Sequence, residues 1–170
     1  MKELLEKFWG WYEQHYFLNL CVAGRLFLLQ IVHLCWLATD VIATKLLGTS
    51  LFHLTGIWKY IIIAVDYTEI PALVTTSVLY LNEARKQRTL KSIFFLIFLN
   101  SQWLHLFWIT DEFVLDALTG ANVALPLSLA WVAILIDYLE VPVIIDVLKK
   151  IVVAVKRREF DRIHEALKEK

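Results

Sequence analysis

The sequence predicts an all-α integral membrane protein, a four-helix bundle made of two tandem helical hairpins. Three observations support this fold class. The 170 residues are 59% hydrophobic, with a mean hydropathy of +0.60, whereas soluble domains are close to half apolar. Four segments are long and apolar enough to cross about 30 Å of hydrocarbon. Most charged residues lie outside them, at 1–13, 82–91 and 149–170.

The four predicted spans lie at 20–47, 55–82, 92–118 and 124–155. The third is the most uniform, because residues 92–110 contain no Asp, Glu, Lys or Arg. A helix in a soluble bundle keeps a polar stripe towards water, and residues 60–65 and 70–81 of the second span have none. A chain of this length has no larger core in which to enclose four such helices, so we expect lipid around them.

The basic residues predict the direction of the spans. Lys and Arg precede the first span, fill the loop at 82–91 and follow the fourth span, but they are absent from the loops at 48–54 and 119–123. Since cytoplasmic loops carry the excess of Lys and Arg, both termini are expected on the cytoplasmic side of a cell membrane. The aromatic-rich N-terminal segment is predicted to be an interfacial helix, and 156–170 a cytoplasmic helical tail.

Composition excludes several kinds of function. A formal net charge of +0 gives no electrostatic drive for binding nucleic acid. Cys21 and Cys35 fall on one predicted helix, and they form neither a disulfide framework nor a C-x-x-C zinc pair. The chain also has no phosphate-binding glycine loop, nucleotide fingerprint or nucleophile motif.

An internal repeat divides the chain into two halves. Two motifs each occur twice: HLxWxxx followed by an acid at 33–40 and 105–112, and DYxE followed by Ile or Val and Pro at 66–71 and 137–142. The halves, 20–82 and 92–155, are therefore predicted to be helical hairpins that run in the same direction. A pseudo-two-fold axis along the membrane normal would relate them.

The repeat retains ionisable residues inside the predicted spans, where such groups are costly and usually functional. Each half supplies one His and three carboxylates as candidate metal ligands: His33, Asp40, Asp66, Glu69, His105, Glu112, Asp137 and Glu140. Seven residues are almost two helical turns, so His33 and Asp40 are expected on one face. Asp66 and Glu69, three residues apart, also share a face. The axis would bring both sets together in the bundle core.

Six carboxylates in hydrocarbon need positive partners, because inserting one Asp at mid-span costs about 3 kcal/mol. Arg25, Lys45 and Lys59 all lie towards the ends of their spans. Imidazole and carboxylate groups bind divalent ions such as iron, manganese or zinc. Soluble di-iron and di-manganese bundles combine the same ligand types. The sequence therefore predicts a pair of divalent metal ions in the core.

Four aromatic residues are candidates for supporting this centre. Tyr67 and Tyr138 could donate hydrogen bonds to a carboxylate beside the ions. Trp36 and Trp108 are expected to form packing walls around the ligands. The proline of each DYxE motif lies two residues past the glutamate, and it is expected to kink its helix.

Three functions are compatible with this pattern, besides hydrogen bonds that only hold the bundle together. The preferred one is a metalloenzyme acting on a lipid-like or quinone-like substrate, as a hydrolase or as a di-iron-type oxidoreductase. The second is a small cation or proton transporter that uses the carboxylates. The third is a haem b protein with His33 and His105 as axial ligands.

Overall fold

The computed structural model describes residues 2–52, 55–109 and 126–168. Every regular element in these ranges is a helix, which confirms the predicted all-α class for the described part of the chain. The elements are α1 (Lys2–Gln14), α2 (Tyr16–Trp36), a π-helical turn (Leu37–Ile42), α3 (Ala43–Leu47), α4 (Ile57–Tyr67), α5 (Glu69–Gln87), α6 (Leu90–Ile109), α7 (Leu127–Tyr138) and α8 (Glu140–Lys168).

Four helical stretches of the described residues are long and apolar enough to cross a membrane, in agreement with the four segments predicted from the sequence. They cover Tyr16–Leu47, Tyr60–Gln87, Leu90–Phe107 and Ser128–Arg158. The predicted limits differ from these by at most about five residues, an ordinary error for helix ends read from sequence. The predicted end of the third span, at 110–118, lies outside the described residues. The direction of the spans across a membrane stays a prediction.

The four stretches pack around one apolar core. α2 contacts α4, α5 and α8, and α6 contacts α5, α7 and α8. α2 and α8 approach each other closely at Gly24, where a β-carbon would collide with the side chain of Ile151. All four stretches contribute fully buried side chains, among them Phe27, Leu73, Leu99 and Val143.

The outward faces of the same helices are also apolar. Leu28, Phe107 and Leu135 expose 51%, 72% and 63% of their surface. Large apolar patches of this kind are rare on soluble monomers. They are expected where a helix faces lipid, since hydrocarbon offers no partners to polar groups.

The second and fourth spans are each broken at a single residue. Only Thr68 separates α4 from α5, and only Leu139 separates α7 from α8. Pro71 and Pro142 follow three residues later, and each lacks the N–H that would bond the carbonyl four residues back. The kinks predicted from these prolines are therefore present as helix breaks, directly beside the predicted ligands.

The first span departs from α geometry in the π-helical turn Leu37–Ile42. The Thr39 hydroxyl donates to the carbonyl of Cys35 (2.8 Å), and the Thr39 carbonyl accepts the backbone N–H of Leu51 (2.9 Å). Both bonds compete with the regular helical pattern. A π turn contains more residues than an α turn. The assumption of α geometry that put Asp40 on the face of His33 therefore fails here.

Both terminal segments are helical where the structure describes them. α1 packs on α5 through Glu13, which lies 2.5 Å from Arg85 and 3.1 Å from Lys86. The Lys86 ammonium and the Arg85 guanidinium lower the pKa of Glu13. The predicted tail at 156–170 is helical as far as Lys168, as a continuation of α8.

Candidate metal centre

Six of the eight predicted ligands meet in the middle of the bundle. Each is at least 95% buried, and each comes from a different helix: His33 from α2, Asp66 from α4, Glu69 from α5, His105 from α6, Asp137 from α7 and Glu140 from α8. The helix breaks position four of them. Each aspartate is the second-last residue before a break, and each glutamate is the first residue after it.

The two histidines lie against the two aspartates. Nδ1 of His33 is 3.1 Å from Oδ1 of Asp66, and Nε2 of His105 is 2.9 Å from Oδ1 of Asp137. Asp137 also approaches the other histidine, since its Oδ2 is 3.8 Å from Nε2 of His33. The imidazole ring centroids are 6.2 Å apart. Each histidine thus pairs with the aspartate of its own half, and Asp137 lies between them.

The two glutamates meet each other across the bundle. The carboxyl groups of Glu69 and Glu140 lie within hydrogen-bonding distance of one another. One oxygen of each is buried without a hydrogen-bond partner. Two carboxyl groups in contact in a low-dielectric core need a shared proton or a cation between them.

Two groups of three ligand atoms are close enough to hold an ion. One consists of His33, His105 and Asp137, and the other of Asp66, Glu69 and His105; within each group the atoms lie within 4.8 Å of one another. Imidazole nitrogen and carboxylate oxygen form a donor set that suits iron, manganese and zinc. The described residues therefore contain a compact set of groups that could bind metal ions.

Hydrogen bonds within this cluster are incomplete. Neither nitrogen of His33 or of His105 makes a hydrogen bond of acceptable geometry, although carboxylate oxygens lie about 3 Å away. Oxygens of Asp66 and Asp137 are also buried without a partner. More than about 90% of buried polar groups in proteins are hydrogen-bonded. The cluster therefore contains several buried polar atoms whose bonding capacity is not fully used by the described residues.

Two glutamines donate hydrogen bonds beside the helix breaks. Nε2 of Gln30 donates to the carbonyl of Val65 (3.2 Å) and to the hydroxyl of Thr68 (3.1 Å). Nε2 of Gln102 donates to the carbonyl of Ile136 (2.7 Å). Each accepting carbonyl belongs to the residue just before the aspartate of that half. The glutamines therefore hold the backbone from which the aspartates project.

An amide such as Gln102 is expected to hydrogen-bond between helices, but its equivalence to Gln30 was not recognised from the sequence, although a signal for it exists. Both glutamines precede a histidine by three residues, so the first motif of the repeat extends to QxxHLxW at 30–36 and 102–108. Both are almost fully buried. The spacing places each glutamine one helical turn from the histidine, on the same face.

Asp40 is not brought into either ligand group. It is half-buried, and its Oδ2 accepts the indole N–H of Trp36 (3.1 Å). The Trp36 ring also packs against His33, with 5.8 Å between ring centroids. This is the position expected of a packing wall, and metal binding by Asp40 stays a prediction.

The remaining predicted site residues are placed in part or not at all. Glu112 lies outside the described residues, and of Trp108 only the backbone is described. Tyr67 and Tyr138 are half-buried, each as the last residue before a helix break. Their supporting role stays a prediction.

An apolar layer lies next to the cluster. Phe27, Leu73, Leu99 and Val143 are fully buried, one from each membrane-length stretch. They lie three to six residues from the ligands along their helices. These side chains lie between the ligands and what we term the basic end, the end of the bundle formed by the loop at 82–91 and by residues 149–158. The buried polar side chains Gln30, Thr76 and Gln102 lie on the same side of the cluster.

A second cluster of ionisable groups lies at the basic end. Asp146 pairs with Lys91 and with Lys150 (2.7 Å), and it accepts the hydroxyl of Tyr80 (2.8 Å). Lys150 also pairs with Glu83 (2.6 Å). Nothing in the repeat singles out Asp146, yet it connects three helices. Unlike the central carboxylates, it has basic partners.

Fold and site together define a helical bundle with four membrane-length stretches and a buried His and carboxylate cluster. No protein-family model, curated protein or solved structure matches the chain. The function is therefore argued from the geometry of the site.

Proposed function

We propose that the chain is a multi-pass membrane metalloenzyme, with both termini in the cytoplasm, that holds two divalent ions in the bundle core. One observation carries this proposal. Two imidazoles and four carboxylates converge from six helices, almost fully buried and with incomplete hydrogen bonds. Among the described residues, no Lys or Arg pairs with any of these carboxylates. A pair of divalent cations would supply the missing positive charge.

The six ligands would hold the two ions between them. His33, His105 and Asp137 present ligand atoms within 4.8 Å of one another, and so do Asp66, Glu69 and His105. These two groups would hold the ions, with His105 within reach of both, and Glu140 beside Glu69 would complete the donor set. Imidazole and carboxylate donors of this kind also hold the ions of soluble di-metal bundles.

The haem alternative fits this geometry poorly. An axial pair of histidines must leave an iron and a flat macrocycle between the two imidazoles. Here the carboxylate of Asp137 occupies that space, 2.9 Å from one imidazole and 3.8 Å from the other. A charged carboxylate against the face of an apolar macrocycle would also be unfavourable.

The transporter alternative needs a water route to both ends of the bundle. The side of the cluster towards the basic end is filled by almost fully buried side chains, the apolar Phe27, Leu73, Leu99 and Val143 and the polar Gln30, Thr76 and Gln102. This arrangement supports access from one side only. A centre reached from one side suits an enzyme that retains its ions and admits a substrate.

The substrate class follows from the location of the centre. A site at mid-bundle is reached by molecules that dissolve in lipid, such as a lipid-linked ester or a quinone. Two ions side by side could activate water for hydrolysis or dioxygen for oxidation. The chain would supply the ligands that hold the ions. Its apolar layer would prevent water at the basic end from reaching them.

Metal content tests the proposal directly. We expect about two equivalents of iron, manganese or zinc in detergent-purified protein by elemental analysis, and almost none in Glu69→Ala/Glu140→Ala. Glu83→Ala is the matched control, since Glu83 lies on the same helix as Glu69 but pairs with Lys150. A metal-free wild type, or a double variant that keeps its metal, would refute the proposal.

The same preparation separates the alternatives. A Soret band with one iron would establish the haem protein. Metal that leaves during purification and crosses vesicle membranes would establish the transporter. Bound zinc would favour the hydrolase, and bound iron or manganese the oxidoreductase. Incubation with extracted membrane lipids and quinones, followed by mass spectrometry, should then show a product that Glu69→Ala/Glu140→Ala does not form.

A further inference from the structure

An open cavity of about 410 Å³ lies at the start of the first membrane-length stretch, between α2 and the distal part of α8. Arg25 and Arg158 supply its positive charge, and Phe17, Leu18 and Val22 supply apolar wall. Arg25, the lining residue of α2 that is nearest to His33 in the sequence, precedes it by eight residues, about 12 Å along the helix, and no motif of the repeat includes a lining residue. Its lining is therefore unexplained by the proposed function.

The two arginines are the unusual feature of this cavity. Four basic side chains at the basic end each pair with an acid: Arg85, Lys86, Lys91 and Lys150. Arg25 and Arg158 form no ion pair with any side chain that the structure describes. The guanidinium of Arg158 instead stacks on the ring of Phe17, 4.0 Å from its centroid, which holds it beside the cavity. The described lining of the cavity thus includes two cations and no anion.

Arg25 lies further from the end of a membrane-length helix than charged residues usually do. It follows the start of α2 at Tyr16 by nine residues, about 13 Å along the helix, and its side chain is exposed. On a lipid-facing helix surface, an arginine extends towards the headgroup level and keeps its stem against apolar surface. Arg158 lies in that direction along α2, because its guanidinium stacks on Phe17, nearer the start of the helix.

We propose that this cavity binds the phosphate of an anionic membrane lipid. Arg25 and Arg158 would contact the phosphate oxygens, which guanidinium groups bind with good geometry. The acyl chains would follow the apolar surface of α2, where Leu18 and Val22 are 59% and 39% exposed. This apolar surface adjoins the two arginines, so the site matches both the phosphate and the acyl chains of a lipid. Free phosphate would match only the arginines.

Lipid binding by the full-length, delipidated protein in mild detergent tests this inference. Native mass spectrometry would compare phosphatidylglycerol, phosphatidylcholine and inorganic phosphate as probes. We expect the wild type to retain phosphatidylglycerol in preference to the other two. A basic residue near an anionic lipid contributes about fivefold in affinity, so Arg25→Gln/Arg158→Gln should bind about 25-fold more weakly.

Lys156→Gln/Arg157→Gln is the matched control, because it removes two positive charges from neighbouring exposed positions. It should bind the lipid as the wild type does. Equal weakening in both double variants would overturn the proposal, as would equal binding of the two lipids. Inorganic phosphate that binds as well as phosphatidylglycerol would establish a free-anion site instead.

A charge-retaining variant keeps the test decisive if the glutamine variant fails to fold. Arg25→Lys/Arg158→Lys should fold and still prefer phosphatidylglycerol, with a smaller preference because lysine cannot bind phosphate in a bidentate manner. Loss of all preference in this folded variant would contradict the proposal. Metal content should be unchanged throughout, which separates a failure here from a failure of the metal centre.

Discussion

Two groups of acidic side chains lie in the same bundle, one at its middle and one at its basic end. In the basic-end group, Asp146 has Lys91, Lys150 and Tyr80 as partners. In the central group, four carboxylates share two imidazoles and no Lys or Arg of the described residues. Both groups are mostly buried, so burial alone does not distinguish them. The difference is in how their charge is balanced.

Position along the helices explains this difference. Near a helix end, a lysine can hold its ammonium group at the membrane surface while its stem lies on apolar side chains. The side chain of Lys91 is more than half exposed. At mid-bundle a long basic side chain has no route to water, and inserting one would be costly. The end group therefore forms ordinary ion pairs, whereas the middle group is suited to bound ions.

The largest expected effect is that Glu69→Gln and Asp146→Asn change the stability of the metal-free protein in opposite directions. Glu69→Gln should raise thermal stability by about 1–2 kcal/mol, because it removes one of two facing carboxyl groups and supplies a donor to the other. Asp146→Asn should lower stability by about 2–4 kcal/mol, because it leaves two lysines without their shared partner. Thermal unfolding in detergent after chelation measures both.

Adding metal back should sharpen the same comparison. The wild type and Asp146→Asn should gain stability on adding metal, whereas Glu69→Gln should gain little, since ligand binding stabilises only a chain that keeps its site. Equal destabilisation of both variants without metal would show that the central carboxylates are structural partners like those at the basic end.

An intermediate effect is expected at the helix breaks. Gln30→Leu and Gln102→Leu should each weaken metal binding by about 10-fold or more, as changes beside metal ligands usually do, and each should cost about 1 kcal/mol of stability. Asn100→Leu is the control, because its amide bonds only to its own helix at Leu96 and is exposed. Competition with a chelator of known affinity gives the values. Unchanged affinity in both glutamine variants would show that the breaks hold their shape without them.

The smallest effect concerns the exposed contact of α1 with α5. The pKa of Glu13 is lowered from 4.5, first by Lys86 and also by Arg85. A group with a lowered pKa in the folded chain stabilises it above the unfolded pKa, and this contribution is lost as the pH falls through the folded value. We therefore expect α1 to loosen as the pH falls below 4.5. Distances between spin labels on exposed positions of α1 and α5 would report this.

The glutamine variant supplies the control for that titration. Glu13→Gln should show weaker docking of α1 already at neutral pH, and no further change below pH 4.5. High salt should have the same effect as the substitution, since exposed ion pairs are screened. A wild-type distance that is constant down to pH 3 would show that apolar contacts alone dock α1.

The number of spans and their approximate limits could be predicted from sequence because they depend on local hydropathy. The meeting of Asp66, Glu69, Asp137 and Glu140 with the histidines could be anticipated for a related reason, since each motif lies within one or two helical turns. Their binding of metal, and the repeat itself, remain predictions. Where the helices are regular, ideal α-helical geometry was sufficient to predict which side chains share a face.

Two features could not be predicted in this way. Asp40 lies in a π turn that depends on Thr39 and on a backbone bond to Leu51, a residue outside the helix. The role of Asp146 depends on Lys91, which is 55 positions away in the sequence. Contacts between distant segments decide both cases. Gln30 and Gln102 differ, because their common spacing to the histidines was available in the sequence.

The break at Thr68 has a consequence for how quickly the centre can open. α4 is only 11 residues long, and Ile57, Trp58 and Tyr60 are each more than half exposed. Local opening is fastest in segments with few buried contacts. We expect α4 to move as a unit about Thr68, together with Asp66, while α5 stays packed. The rate of this movement would then limit how fast a bound ion dissociates. Amide hydrogen exchange should accordingly be faster in α4 than in α5.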